Sequence, residues 1–104
     1  MKKIEHILKI LPEYYAAVVS GKKTFEIRQN DRNYQVGDWI KLLEFNGEDF
    51  TGNYVNALIT YITSYGQKEN MVVFSIRPYS FGVHNKESMK RLTSQKPSDK
   101  EGLK

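Results

Sequence analysis

Five stretches of the chain carry the alternating, or β-branched and aromatic, pattern that is typical of strands with a buried face. The runs predicted as strands are Ile4–Leu11, Lys23–Arg28, Trp39–Phe45, Tyr54–Tyr65 and Met71–Ile76. Asn46-Gly47 is the strongest turn signal between them. The short link between the last two runs predicts an antiparallel hairpin.

One helix is predicted between the first two strands. Pro12 suits the first helical position, and Glu13 follows in the first turn, where a negative charge is favourable. Apolar residues at helical spacing continue as far as Val19, and Gly21 is the expected C′ residue. The pattern therefore predicts a short helix over Pro12–Ser20.

The order β-α-β-β-β-β indicates a mainly β (α+β) fold with mostly antiparallel strands. One flat sheet in so short a chain could not bury both faces, so we expect a curled sheet or small barrel. With 104 residues there is room for one domain. We assign it to residues 1–81. Residues 82–104 contain six basic and three acidic side chains and lack apolar periodicity, so a basic, flexible C-terminal tail is predicted there.

Composition excludes several classes of protein. The absence of cysteine rules out a disulfide scaffold, a thiolate zinc site and a cysteine nucleophile. No apolar run approaches the roughly 20 residues of a membrane helix, and charged side chains interrupt the N-terminal segment, so we expect a cytoplasmic protein without a signal peptide. His6 has no second ligand at metal-binding spacing, and no metal or cofactor is expected. A monomer is assumed.

The densest polar cluster is the segment 21–32, GKKTFEIRQNDR. Within its strand, Glu26 and Arg28 lie on one face about 7 Å apart, and Phe25 and Ile27 lie on the other. We expect the two apolar side chains to be buried and the charged ones to share a polar cleft with Lys23. The alternative is an ion pair on a solvated face, which would contribute little to stability.

Gly21, Lys23, Glu26 and Arg28 match the signature G-x-K-x-x-E-x-R, and this cluster resembles that of the ASCH domain, a PUA-like β-barrel family linked to RNA metabolism. The segment Val36-Gly37-Asp38 resembles the V-G-D that opens the next strand of PUA-like barrels. Together with HILKILPEYY and the run from Thr51 to Ile62, these blocks resemble a small bacterial and phage branch, the domain-of-unknown-function family 3850. The resemblance spans roughly Glu5 to Ile76.

The resemblance implies a five- to six-stranded PUA-like barrel with an N-terminal helix, binding RNA or a nucleotide-like small molecule in a cleft beside the barrel. The residues that we assign to this ligand site are Lys23, Glu26, Arg28, His6, Lys9, Asp31, Arg32 and Tyr34. Gly21, Gly37 and Asp38 are assigned structural roles. Tyr34 and Tyr79 are the tyrosines best placed to stack on bases, whereas Phe25 and Trp39 are expected in the core.

Three functions compete for this cluster. In a binding module, Arg28 and Lys23 would neutralise phosphate and Glu26 would accept a hydrogen bond from an exocyclic amine. Truncation of Arg28 is then expected to remove binding and leave the fold intact. The resemblance also implies an amidohydrolase acting on N4-acetylcytidine, with Lys23 as base or nucleophile, although Glu26 replaces the threonine that is catalytic in such enzymes. A protein-binding regulator is the third possibility. A buried Lys23 beside Glu26 would favour catalysis, and an open basic face would favour RNA.

Overall fold

The structure, a computed structural model, describes residues 4–85. Its elements in chain order are β1 (Glu5–Ile10), α1 (Pro12–Val19), β2 (Phe25–Gln29), β3 (Trp39–Phe45), β4 (Phe50–Thr63) and β5 (Met71–Val83). The five strands form one sheet in the order β1-β3-β4-β5-β2. The predicted class, a mainly β fold of five to six mostly antiparallel strands with one N-terminal helix, is confirmed, and the sheet is curled into a half-barrel.

Three of the four strand pairs are antiparallel, as predicted, and β1 pairs with β3 in parallel. The parallel pair follows from the connection between these strands, because α1 and β2 intervene and return the chain to the end of the sheet at which β1 began. The strands β1 and β2 are therefore the two edges of the sheet, although they are neighbours in sequence.

The helix ends as its sequence predicts. Gly21 has φ +81°, and the amides of Gly21 and Lys22 donate to the carbonyls of Val18 and Ala17 at 3.1 and 2.9 Å. This pair of hydrogen bonds is a Schellman motif, which requires the left-handed conformation that glycine adopts without strain. The turn delivers Lys23 to the start of β2.

The two faces of β2 are reversed relative to the prediction. Phe25 is 41% exposed and Ile27 is partly exposed, whereas Glu26 and Arg28 are 0% and 1% exposed. The expected burial of Phe25 and Ile27 is therefore wrong. Alternation separates two faces but does not say which one is inside, and here the inward charges satisfy one another.

The last two strands are longer than predicted. β4 begins at Phe50, and β5 continues through Pro78 to Val83. Pro78 lies beside a register shift opposite Asn56 and Ala57, the kind of irregularity at which a strand tolerates a residue without an N–H. Val83 pairs with Asn53, so regular pairing extends two residues past residue 81. The remainder of the predicted tail, 86–104, lies outside the described residues.

The main core fills the concave side of the sheet under α1. It contains buried residues from the helix and four strands and Tyr34 from the loop before β3: Leu8, Ile10, Val18, Tyr34, Ile40, Leu42, Val55, Ala57, Ile59, Val72, Phe74 and Ile76. A smaller cluster on the other face joins Leu43 and Phe50 to Ile7, Phe45 and Tyr54. Trp39 is only partly buried.

Substitution of Gly52 by Ala is expected to destabilise the end of the β4–β5 hairpin by about 1–3 kcal/mol. Gly52 has φ +103°, and a Cβ there would lie 2.5 Å from the backbone oxygen of His84. Gly47 has the same φ with open space around it, so Gly47→Ala is a matched control for backbone strain alone. Urea unfolding measures the free energy of unfolding of both variants. Equal losses in the two variants would show that the contact with the His84 backbone oxygen adds nothing to the backbone strain.

Candidate functional site

Three charged side chains, Lys23, Glu26 and Arg28, form a compact triad on the inner side of β2. The Lys23 ammonium donates to Glu26 Oε2 and, at 2.6 Å, to the carbonyl oxygen of Phe25. Arg28 donates to Glu26 Oε1 through Nε at 3.1 Å and through Nη2 at 2.9 Å. The structure thus brings the three signature side chains together around one carboxylate, and all three are buried.

The local sequence explains this convergence. Glu26 and Arg28 are two residues apart on β2, so they share its inner face. Strict alternation would not place Lys23 with them, but Lys23 lies in the turn before the strand. The turn that Gly21 allows directs its side chain back over Glu26.

Arg28 also reaches across the opening of the half-barrel. Its Nη2 donates to the carbonyl oxygen of Lys9 at 2.9 Å, and Nη1 of Arg32 donates to the carbonyl oxygen of Ile7 at 3.3 Å. Residues 7 and 9 are two apart, so both carbonyls point from the same edge of β1. The two guanidinium groups therefore join one edge strand to the other where a ladder of backbone hydrogen bonds is missing.

Lys23 is the most exposed member of the triad. Its side chain is 10% exposed, against 0% for Glu26 and 1% for Arg28. Two aromatic rings flank it, with Nζ 5.8 Å from the ring centroid of Tyr14 and 5.0 Å from that of Phe25. The ring of Phe25 is partly open to solvent. Sequence reasoning missed both rings; the helical position of Tyr14 and the position of Phe25 beside Lys23 were the available signals.

His6 and Tyr34 lie in the interior. Nε2 of His6 is 2.8 Å from Oδ2 of Asp38, which also accepts a hydrogen bond from the backbone N–H of Gln35 at 3.0 Å. The ring of Tyr34 packs between His6 and Phe74, with centroids 4.8 Å from each. Tyr34 is 4% exposed, which is at odds with the expected stacking of its ring on a base.

Asp38 therefore has a side-chain partner that sequence analysis did not assign. Gly37, with φ +95°, and Asp38 pair through their backbone with Ile59, which fixes the start of β3. The contact with His6 spans 32 positions of sequence, and its available signal was the inward position of His6 on β1.

The remaining assigned residues do not join the triad as a cluster. Lys9 Nζ lies over the ring of Phe45 at 4.7 Å, on the face of the sheet opposite the main core. Asp31 is paired with Arg32 at 3.6 Å and is substantially exposed. Arg32 donates to the carbonyl oxygen of Ile7 on β1, beside the bridge that Arg28 makes to Lys9.

A further buried carboxylate, Glu44, lies at the far end of β3. Glu44 accepts hydrogen bonds from Thr51 Oγ1 at 2.7 Å and Asn53 Nδ2 at 2.9 Å. Burial raises the pKa of Tyr15 above its ordinary value of 10.0, with further contributions from Glu44 and Tyr54. The Tyr15 hydroxyl donates to the carbonyl of Tyr54 at 3.3 Å, which ties α1 to β4.

No three His, Asp or Glu side chains in residues 4–85 are grouped so as to hold a metal ion. Over the same range, α1 is the helix of the structure, and with 8 residues it is too short to cross a membrane.

The family model of the domain of unknown function DUF3850 matches residues 5–76, which is more than half of the chain. The chain belongs to the DUF3850 family. A relative is the uncharacterized 12.9 kDa protein in the GpA 3′ region of Escherichia phage P2, which is 44% identical over 58 residues. The match covers 56% of this chain and 53% of the phage protein, so it spans about half the length of that relative.

The fold is that of an ASCH domain. The crystal structure of a mutant of the ZmASCH protein from Zymomonas mobilis superposes with a TM-score of 0.67. The superposition covers 93% of this chain and 84% of ZmASCH, at 17% sequence identity. The suggested resemblance of this DUF3850 chain to ASCH domains is therefore confirmed at the level of the fold.

Removal of the central carboxylate should destabilise the protein strongly. Glu26→Ala leaves the charges of Lys23 and Arg28 facing each other without their shared partner, and a broken buried ion pair costs about 3–5 kcal/mol. The exposed Glu69 provides a matched control, Glu69→Ala, that should stay within about 0.5 kcal/mol of wild type. Chemical unfolding followed by circular dichroism measures both, and a Glu26→Ala loss as small as that of the control would show the triad to be dispensable for the fold.

The same burial changes the expectation for Arg28→Ala. Its guanidinium is enclosed and bridges two strands, so the expectation that its truncation leaves the fold intact no longer holds.

With Tyr15 present, the free energy of unfolding should fall more steeply at alkaline pH than it does without its hydroxyl. Its folded pKa is raised, so the neutral phenol stabilises the folded state below about pH 10, and this contribution is lost as the pH rises through the folded pKa. In Tyr15→Phe the decline above pH 10 should be shallower. Tyr65→Phe, with a ring that is 90% exposed, is the control. The free energy of unfolding is measured from about pH 8 to about pH 11, a range around the ordinary tyrosine pKa of about 10. Identical slopes of this free energy against pH for wild type and Tyr15→Phe would contradict the prediction.

Proposed function

We propose that the protein is an RNA- or nucleotide-binding module in which Lys23 contacts the ligand directly. The observation that carries the proposal is the setting of Lys23: it is the most exposed side chain of the triad, and its ammonium lies near two aromatic rings and is held by a buried carboxylate. An ammonium group has three N–H donors. Two of them are directed to Glu26 and Phe25, which leaves one for an oxygen of a phosphate or a base.

The proposal divides the triad into two roles. Glu26 and Arg28 orient Lys23 and close the barrel, since neither has surface for a ligand. The rings of Tyr14 and Phe25 supply apolar faces on which a base can stack, and such stacking does not depend on base identity. The proposed ligand site is thus smaller than the one expected from the sequence, with Lys23 in place of Arg28 as its principal cation.

A nucleoside amidohydrolase is the second candidate, because Lys23 lies buried beside Glu26 as we expected of catalysis. The ion pair with Glu26 argues against it, since a lysine nucleophile or base acts as the neutral amine and the neutral amine would lose that ion pair. Glu26 is likewise engaged by both cations, so protonation of Glu26 during a proton transfer would weaken the ion pairs that close the barrel.

Lys23→Met tests the binding proposal, with Lys22→Met as the matched control. Both residues lie in the turn after α1, but Lys22 is exposed and outside the triad. Isothermal calorimetry with cytidine 5′-monophosphate and N4-acetylcytidine should show binding by wild type and by Lys22→Met. Loss of one charge-assisted hydrogen bond should weaken the complex of Lys23→Met by about ten- to 150-fold.

Thermal unfolding of each variant separates lost binding from lost structure. A folded Lys23→Met variant that binds like wild type would overturn the proposed contact. Chromatography of the N4-acetylcytidine reaction reports acetate release, and Lys23-dependent release would replace the binding proposal by the hydrolase.

A further inference from the structure

The convex face of the sheet carries a row of aromatic and polar side chains that begins beside Lys23. In the strand register, Phe25 on β2 is opposite Ser75 on β5, and Ser75 is opposite Tyr61 on β4. The rings of Phe25 and Tyr61 are 41% and 62% exposed. Phe25 is also the residue whose carbonyl and ring contact Lys23, so this row adjoins the proposed ligand site.

A second row follows two residues further along β5, a step of about 7 Å. Arg77 is opposite Leu58, and Leu58 is opposite Trp39 on β3. Tyr79, which is 52% exposed, sets its ring against Trp39 with centroids 5.1 Å apart, and its hydroxyl accepts a hydrogen bond from Arg77 Nη1 at 3.4 Å. A guanidinium and two rings therefore form one contiguous patch.

The third row contains Lys41, Asn56 and Ser80, again joined through the register. Lys41 extends its ammonium over the ring of Tyr54 at 4.5 Å. None of the three rows contains an acidic residue on β2, β3, β4 or β5, and Glu5 on β1, opposite Trp39, stands at their margin. The face is thus cationic and aromatic. We name its six main residues the outer track: Phe25, Tyr61, Arg77, Trp39, Tyr79 and Lys41.

We propose that the outer track binds a single-stranded nucleic acid that runs across the convex face from the Lys23 site. Exposed rings give stacking platforms, and the interleaved cations neutralise phosphates, which is the combination used by proteins that bind single strands without sequence preference. The proposal extends the ligand site proposed at Lys23, but it rests on different residues and can fail separately.

Charge favours this occupant over a second copy of the chain. In a two-fold contact the same patch meets itself, so Arg77 and Lys41 of one copy would approach the same cations of the other. Like charges brought together at an interface oppose association. A polyanion with unstacked bases matches both the cations and the rings.

The experiment measures binding of a fluorescein-labelled twelve-nucleotide oligouridine to the 104-residue chain by anisotropy. Tyr79→Ala should weaken binding about five- to 150-fold, the range expected for one lost stacking platform. The matched control is Tyr65→Ala in the β4–β5 turn, an exposed tyrosine outside the three rows. The double variant Arg77→Gln/Lys41→Gln should reduce the slope of log affinity against log salt by about 1.4, for two lost phosphate contacts. Lys68→Gln is its single-charge control.

The outcomes separate the two proposals. Both proposals are supported if Tyr79→Ala and the double variant bind oligouridine more weakly while the binding of uridine 5′-monophosphate still depends on Lys23. If oligouridine binding depends on the outer track and the mononucleotide is not bound, the outer track stands and the Lys23 site fails. If folded outer-track variants bind oligouridine as the controls do, the proposal is overturned, and the basic segment 86–104 is the alternative binding element. Light scattering shows whether the wild-type chain is a dimer. If it is a dimer that Tyr79→Ala dissociates, and if it does not bind oligouridine, the outer-track proposal is overturned in favour of self-association.

Discussion

The fold depends on how one curled sheet closes without joining its own edges. β1 and β2 are the outermost strands, and no backbone ladder between them is part of the described sheet. Arg28 donates instead to a carbonyl on the free edge of β1, and it also donates two hydrogen bonds to Glu26. A planar guanidinium can bridge in this way because it presents several fixed donors. The charged triad is therefore part of the barrel wall as well as part of the candidate site.

This dual role limits which residue can exchange its partners for a ligand. Glu26 is enclosed and accepts from two cations, so withdrawing it would leave those cations without their common counter-charge. Arg28 cannot turn outward without releasing β1. Lys23 lies at the end of the triad, in a turn instead of a strand, and it retains some accessible surface. The proposed binding through Lys23 is thus compatible with an intact closure.

The helix and the strands could be predicted from neighbouring residues, whereas the contacts between distant residues could not. The helix ends where Gly21 directs, and β3 occupies the predicted residues, because a C-cap and a regular alternation are properties of a few neighbouring positions. The three charged side chains of the signature lie on β2 or in the turn before it, and they are in contact. The pairing of His6 with Asp38 and the bridge from Arg28 to β1 join distant positions, and no local pattern specifies them. Alternation could not show that the charged face of β2 points inward, since that choice depends on partners from β1.

The reversal of β2 also explains why an aromatic surface exists outside the barrel. Once Glu26 and Arg28 face inward to close the sheet, the pleat obliges Phe25 and Ile27 to face outward. An apolar ring is thereby exposed next to the most accessible cation of the triad, in the same cross-strand row as Tyr61. If the apolar face of β2 pointed inward, Phe25 would lie in the core and Lys23 would have no aromatic surface beside it. The electrostatic closure of the barrel thus generates the aromatic character of its convex face, and the two proposed parts of the binding surface have one structural origin.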